Sequence, residues 1–243
     1  MTKTRTIAIG DIHGMIQDLN SLIARIAPQQ NDLLIFLGDY VDRGHHSYNV
    51  IQTIIDLKEK YGCRVITLRG NHDYEFFEGY RANRHEIDKW SANSWAEKPH
   101  RYLSLWGQGA KETFLSYVNA GVSIEQHLDF YLNCADYFIY DNKVFVHGGF
   151  NRHMPISTQS NNVLLWDRDL LLAAMSHNAG SINKHKFKIY DGYSEVYLGH
   201  TPVNYWGYNT PQKFGPVWAI DTGVGKYGTA VLYGVNVDTG EII

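Results

Sequence analysis

Cysteine is scarce: Cys63 and Cys134 are the only two in 243 residues. Two cannot form a disulfide framework, and both are expected to be small buried thiols. Positive charge is not in surplus either, since the formal net charge is −3. That argues against a nucleic-acid footprint and against a polybasic membrane surface. No apolar run approaches the roughly 20 residues a spanning helix needs. The opening Met1-Thr2-Lys3-Thr4-Arg5 has no apolar signal core, so a cytoplasmic location is expected. The glycine fingerprints of phosphate loops and dinucleotide folds are absent, and no serine or cysteine stands in a nucleophile motif. Internal repeats and low-complexity segments are missing as well. With 44% hydrophobic residues the chain can build one sizeable core, and a single domain spanning 1–243 is expected.

What is present is one pattern repeated five times. The apolar run Leu33–Leu37 leads into Gly38-Asp39-Tyr40-Val41-Asp42-Arg43-Gly44. Ile7-Ala8-Ile9 leads into Gly10-Asp11-Ile12-His13-Gly14, and Val65–Leu68 leads through Arg69 into Gly70-Asn71-His72-Asp73. Val144-Phe145-Val146 ends at His147-Gly148-Gly149, and Val196-Tyr197-Leu198 at Gly199-His200-Thr201. Asp39 alone would read as a solvated turn residue. Five short buried strands, each ending in metal-ligand side chains beside glycine, read differently, because strand ends in α/β sheets are where ligands are held.

Helical periodicity places helices at Met15–Ile26 and Ser47–Lys60, between strands Thr6–Ile9, Leu33–Leu37 and Arg64–Leu68. That alternation predicts parallel crossovers. Residues 75–130 carry aromatics (Tyr80, Trp90, Trp95, Tyr102, Trp106, Tyr117) and no strand pattern, and are expected to form a small helical cap over the strand ends. His85, His100 and His127 read as surface or core histidines, and His45 and His46 as exposed turn residues. Asp141-Asn142 predicts a hairpin between Tyr137–Tyr140 and Lys143–Val146. Later strands are expected at Val196–Leu198, Val217–Ile220 and Thr229–Val235, with Glu241–Ile243 a further candidate. The expected class is α/β (α+β): two packed mixed sheets, a β-sandwich, flanked by helices.

Asp, His and Asn together bind borderline divalent ions through oxygen and nitrogen. One carboxylate can give an oxygen to each of two ions about 3.5–4 Å apart, the separation that suits displacement at phosphorus. The five motifs, in this order, resemble the calcineurin-like metallophosphoesterases, and within them the phosphoprotein phosphatase branch with its bacterial and phage members. A weaker match continues at Ala219-Ile220-Asp221-Thr222-Gly223. The resemblance implies that Asp11 and His13 hold one metal, that Asp39 bridges, and that Asn71, His147 and His200 complete the second. It implies two divalent ions, Mn first and Fe or Zn as alternatives, activating a hydroxide. His72 would protonate the leaving group, Asp42 would orient His72, and Arg43 would grip the phosphate with a planar fork. Arg168 is the candidate for a second phosphate arginine, its alternative being a surface arginine at a helix start beside a capping Asp167. Asp73 departs from the eukaryotic pattern, which has Glu there.

The activity so implied is a phosphomonoester hydrolase, a serine/threonine or dual-specificity protein phosphatase acting on phosphoproteins or phosphopeptides, with small phosphoesters as further substrates. No nucleic-acid or membrane partner is expected, and the chain is expected to be a monomer or weak oligomer. Two other readings stay open. One is a symmetrical bis(5′-nucleosyl)-tetraphosphatase, which shares the metal motifs but typically lacks the second acid supplied here by Asp42. The other is a catalytically dead phosphate-binding module.

Overall fold

Three short strands, β1 (Thr6–Ile9), β2 (Leu33–Phe36) and β3 (Arg64–Thr67), pair in parallel and are joined by helices α1 (Ile16–Ile26) and α2 (Ser47–Tyr61). The computed structural model that shows this describes residues 4–89, 108–179 and 187–243. A long helix α3 (Asn71–Ile87) follows β3, and α4 (Ala110–Ala120) and α5 (Leu128–Leu132) come next. The hairpin β4 (Tyr137–Tyr140) and β5 (Lys143–Val146) turns on Asp141 and Asn142, both at positive φ as a type I′ turn requires. Helices α6 (Asn161–Trp166) and α7 (Asp169–Ala179) then lead to β6 (Glu195–Leu198), β7 (Gln212–Phe214), β8 (Val217–Ala219) and β9 (Gly234–Asn236).

Two mixed sheets result, one ordered β3-β2-β1-β9 and the other β4-β5-β6-β8-β7. The period of two sorts their side chains into layers. Ala8, Leu33, Ile35, Phe145, Tyr197 and Trp218 meet between the sheets. Ile7, Ile9, Leu34 and Phe36 face outward into a core shared with α1, α2, α3 and α4. Val144, Val146, Val196 and Leu198 face outward beneath α6 and α7. Strands buried on both faces explain why their sequences read as continuous apolar runs. Among the described residues no helix is long and apolar enough to cross a membrane.

Several boundaries differ from those the sequence suggests. Helix α3 begins at Asn71, inside the third motif, because the Asp73 carboxylate at its third position accepts the Gly70 N–H at 2.9 Å and caps it. Strand pairing near the end is confined to Gly234–Asn236. Residues 229–233 form no ladder: they leave a turn closed by Ala230 N–H donating to Tyr227 O, and Val231 O accepts from Thr222 Oγ1. Glu241–Ile243 returns onto β9 through a single bridge, Val235 to Ile242. Strand β7 has no alternating pattern and was not expected.

Of the region read as a cap, Phe76, Phe77, Tyr80, Phe114 and Tyr117 lie in the same core as α1 and α2. Trp90, Trp95, Tyr102, Trp106 and His100 lie outside the described residues. His45, His46 and His85 are exposed, and Cys63 and Cys134 are buried free thiols. His127 is a core histidine: it bonds Tyr117 Oη at 3.0 Å and Gln52 Oε1 at 3.2 Å, and stacks on Tyr48.

Burial pushes the pKa of His127 down to about 4, against 6.5 in the unfolded chain. The folded state holds it neutral, so its contribution is complete above pH 6.5 and is lost as pH falls toward 4. His127→Gln is therefore expected to flatten the fall in stability between pH 6.5 and 4 by roughly 1–2 kcal/mol. Denaturant melts of both proteins across that window measure the difference, and parallel curves would contradict it.

Candidate metal centre

The carboxyl ends of β1, β2, β3, β5, β6 and β8 carry Asp11, Asp39, Asn71, His147, His200 and Asp221, and strands parallel within each sheet deliver their loops to one end of it. The two sheets are joined there by side chains. His147 Nδ1–H, after β5, donates to Leu37 O of the first sheet at 2.8 Å. The backbone N–H of His200, after β6, donates to both oxygens of Asp11 at 3.1 Å. Asp11, His13, Asp39, Asp42, Asn71, His72, His147 and His200 are all at most 7% exposed.

The local backbone is bent to hold them. Nine non-glycine residues among those described have positive φ, and five of these are His13, Asp39, Asp42, Arg43 and His200. Left-handed backbone outside glycine costs roughly 1–2 kcal/mol per residue and persists where surrounding contacts fix it. Asp73 supplies one such contact. Its carboxylate accepts N–H groups from Asp39 at 2.7 Å, Tyr40 at 2.9 Å and Gly70 at 2.9 Å, clamping the turn that presents Asp39. Gly70 is obligatory beside it, since a Cβ there would collide with the backbone and carboxylate of Asp39. Asp73 thus faces the protein interior, and its departure from the usual Glu bears on this turn.

Asp39 sits at the centre. Its Oδ2 lies 3.4 Å from His13 Nε2 and its Oδ1 lies 3.5 Å from His147 Nε2, so the two oxygens face histidines on opposite sides. Asp11 Oδ2 is 3.9 Å from His13 Nε2. Asn71 Oδ1 is 2.9 Å from His147 Nε2 and 2.8 Å from His200 Nδ1. Two groups have their ligand atoms within 4.8 Å of one another: His13, Asp39 and His72, and Asp11, Asp39 and His147. Both contain Asp39.

The donor set fits cations on three grounds. His13 Nδ1–H donates to Val41 O at 2.9 Å, which leaves Nε2 with a bare lone pair, buried and without a partner. His200 Nε2 is likewise buried and unpartnered. Finally, Asp11, Asp39, Asp42, Asp73 and Asp221 are five buried carboxylates gathered around few positive charges, Arg43 foremost, with Lys226 near Asp221. Burial and the charges of Asp221 and Asp39 push Asp11 well above the carboxylate range. Burial and the Asp39 charge push Asp73 to about 7, and burial pushes Asp221 to about 6. Burial favours neutral imidazole at His13 and His147, and lowers His200 to about 2. Neutral imidazoles and crowded carboxylates are the state in which divalent ions bind.

His72 differs from His13, His147 and His200 in that its Nδ1 hydrogen-bonds a carboxylate and its Nε2 meets a guanidinium. Nδ1 lies 2.8 Å from Asp42 Oδ2, and Nε2 lies 3.3 Å from Arg43 Nη2. Burial lowers its pKa, but the charges of Asp39 and Asp42 outweigh that and raise it. Arg43 Nη1 is buried with no partner. Arg168 is exposed at the start of α7, and its charge depresses the pKa of both His147 and His200. Asp167 beside it accepts the Leu170 N–H at 3.1 Å, a helix cap. Asp221 joins the cluster from β8, with Oδ1 accepting the Gly223 N–H at 2.7 Å. Its signal in the sequence was the same as the others: a strand, an acid and a glycine.

The fold and part of the sequence have known counterparts. A PP2A-like serine/threonine-protein phosphatase of Saccharomyces cerevisiae is 34% identical over 93 residues, covering 38% of this chain and 25% of that protein. The serine/threonine-protein phosphatase 6 catalytic subunit of Drosophila melanogaster is 37% identical over 83 residues, covering 31% and 27%. The match thus spans about a quarter of the length of these curated relatives. Among solved structures, a candidate diadenosine tetraphosphatase superposes with a TM-score of 0.57 at 18% identity, covering 100% of this chain and 93% of that one. A cold-active protein-tyrosine phosphatase of a Shewanella species gives 0.55 at 14%, covering 99% and 80%. At such identities these likenesses show the fold alone. The family model for calcineurin-like phosphoesterases matches residues 4–216, which contain every motif from Asp11 to His200. The chain belongs to the calcineurin-like phosphoesterase family.

Proposed function

We propose that this chain is a dinuclear-metal phosphomonoester hydrolase acting on phosphoserine, phosphothreonine or phosphotyrosine in proteins. The observation that carries the reading is Asp39, whose two oxygens face His13 on one side and His147 on the other. Asp11, His13 and Asp39 would hold one ion, and Asp39, Asn71, His147 and His200 the other. Mn suits this mixed oxygen and nitrogen set, with Fe or Zn as alternatives. Two bound ions supply a strong oxygen nucleophile near neutral pH and draw charge from the phosphoryl oxygens.

The chain's own groups do the rest. Arg43, whose Nη1 has no protein partner, forks onto two phosphoryl oxygens, with Arg168 as the second phosphate arginine. The imidazole of His72 keeps its Nδ1 proton on Asp42 and presents a proton from Nε2 to the leaving oxygen. Arg43 Nη2 and that Nε2 cannot share a hydrogen bond once the ring is doubly protonated, so both turn to the same phosphate. Asp42, buried beside His72, is the feature that favours this reading over the dinucleotide one. Asp73, which clamps the Asp39 turn, is withdrawn from substrate selection and so does not speak for a tetraphosphatase.

Arg168→Ala is expected to raise KM about tenfold with metal content unchanged, since an exposed arginine acts on substrate alone. Unaltered kinetics would return it to the surface. The reading as a whole is tested by phosphate release from Mn-loaded protein on phosphoserine and phosphotyrosine peptides, with diadenosine tetraphosphate in parallel. Peptide turnover in preference supports it. Cleavage of the dinucleotide to nucleoside diphosphate in preference replaces it with the tetraphosphatase reading. Bound metal without turnover of either would indicate a binding module.

A further inference from the structure

Helix α4 approaches the centre from outside every motif. Its N-cap Gly109, at φ +119°, lies so close to the Arg43 backbone N that no side chain would fit. One turn on, Thr113 is completely buried and its hydroxyl meets Asp42 twice. Thr113 Oγ1 donates to Asp42 Oδ1 at 2.8 Å, and accepts the Asp42 backbone N–H at 2.7 Å. Ser47 Oγ, also fully buried, lies 3.1 Å from the same oxygen. On the same face of α4, Ser116 Oγ accepts the Tyr48 N–H at 3.0 Å, which ties the helix to the first turn of α2.

The hydrogen count fixes the direction of this chain. A hydroxyl has one hydrogen to donate and two lone pairs. An ionised carboxylate and a backbone N–H leave Thr113 no choice at Asp42: it donates to Oδ1 and accepts from N. Its second lone pair then accepts from Ser47, which must be the donor. Asp42 therefore receives hydrogen bonds on both oxygens, from Thr113 on Oδ1 and from His72 Nδ1–H on Oδ2. The same hydroxyl satisfies the backbone N–H of Asp42, which sits in the left-handed region at φ 70°. Without Thr113, Asp42 Oδ1 and the buried Asp42 N–H would each lose the partner described, and the carboxylate could rotate away from His72.

We infer that Thr113 is a positioning residue for the proton donor: it fixes Asp42 so that His72 keeps its Nε2 directed at the leaving group. The inference rests on the phosphomonoesterase reading for its kinetic consequence, but its geometry holds independently. It also gives α4 a part in the chemistry, through a residue 71 positions away in sequence from the one it orients.

Thr113→Val keeps the shape and removes the hydroxyl, Thr113→Ala removes it with less crowding, and Thr113→Ser restores it. On Mn-loaded protein, the Val or Ala variant is expected to lose about 10- to 100-fold in kcat/KM on phosphoserine peptide, while nitrophenyl phosphate changes by less than about threefold. Thr113→Ser should recover most of the loss, and metal content should be the same in all. A structural role alone would lower both substrates equally or leave Ser no better than Ala, and either result overturns the inference. A second readout needs neither metal nor substrate. The His72 Nδ1–H proton, shared with a buried carboxylate, should give a slowly exchanging downfield NMR signal in the wild type and in Thr113→Ser. It should be lost in Thr113→Val and Thr113→Ala. Its persistence there would overturn the inference even if the wild type hydrolysed no phosphoester at all.

Discussion

Asp39→Asn is expected to abolish turnover, by about 10³-fold or more, and to weaken the binding of both ions together. The amide keeps the shape of the side chain and keeps an acceptor for the His72 N–H, which Asp39 Oδ1 receives at 2.9 Å. It removes the charge that both metal groups share. In the wild type, burial works against that charge, but the positive groups around it, His72 and Arg43 among them, outweigh burial and hold Asp39 well below the ordinary carboxylate range. Loss of the charge also relieves repulsion with Asp11 and Asp73. The variant should therefore fold as well as the wild type while failing to bind metal. Metal content after dialysis, together with a thermal melt, separates this from misfolding. A variant that retained two ions per chain and near-normal activity would remove Asp39 from the centre of the account.

His72→Asn divides substrates by their leaving groups. An alkoxide departing from phosphoserine needs a proton in the transition state, whereas a nitrophenolate needs little help. A loss of about 10²–10³-fold is expected on phosphoserine peptide, and less than about tenfold on nitrophenyl phosphate. The geometry explains why His72 should behave as a proton donor and not as a metal ligand, although it lies within ligand distance of His13 and Asp39. Its Nδ1 is held by the Asp42 carboxylate at 2.8 Å, which favours a protonated ring, and its Nε2 faces the positive guanidinium of Arg43 at 3.3 Å. Equal losses on the two substrates, or loss of an ion from the variant, would make it a ligand instead.

Much of this centre is legible in the sequence because each part is local. A buried strand, a glycine and a metal-ligating side chain lie close together in each unit, and the five units converge once the parallel strands of two packed sheets end on one side. Asp221 follows the same rule after β8, with a weaker signal because its companion residues, Thr222 and Gly223, carry no ligand. The contacts of Asp73 and Thr113 were not legible. Asp73 reads as a variant of a motif, and only the folded turn shows its carboxylate holding the N–H groups of Asp39 and Tyr40. Thr113 lies in a stretch of aromatic and polar residues with no motif, and meets Asp42 only because α4 packs onto the loop after β2.

The fold shows the same division. Strands buried on both faces announce themselves as apolar runs, and the crossovers between them follow from spacing. The edge strand β7, Gln212–Phe214, has neither signal, and it forms because β8 offers an unpaired edge for it to complete. The stretch 229–233 has β-branched and aromatic residues suited to a strand, yet it pairs with none: it leaves a turn at Tyr227 and meets Thr222 through Val231 O. Local propensity lost there to a loop that packs Gly225 against His13 and Arg43.

The most direct test is a titration of metal-free protein with Mn²⁺, counting bound ions and following phosphate release from a phosphoserine peptide in the same samples. Two ions per chain, with turnover appearing as the second is taken up, is the predicted result. Saturation at a single ion, or turnover in full without metal, would contradict a centre built on the two faces of Asp39.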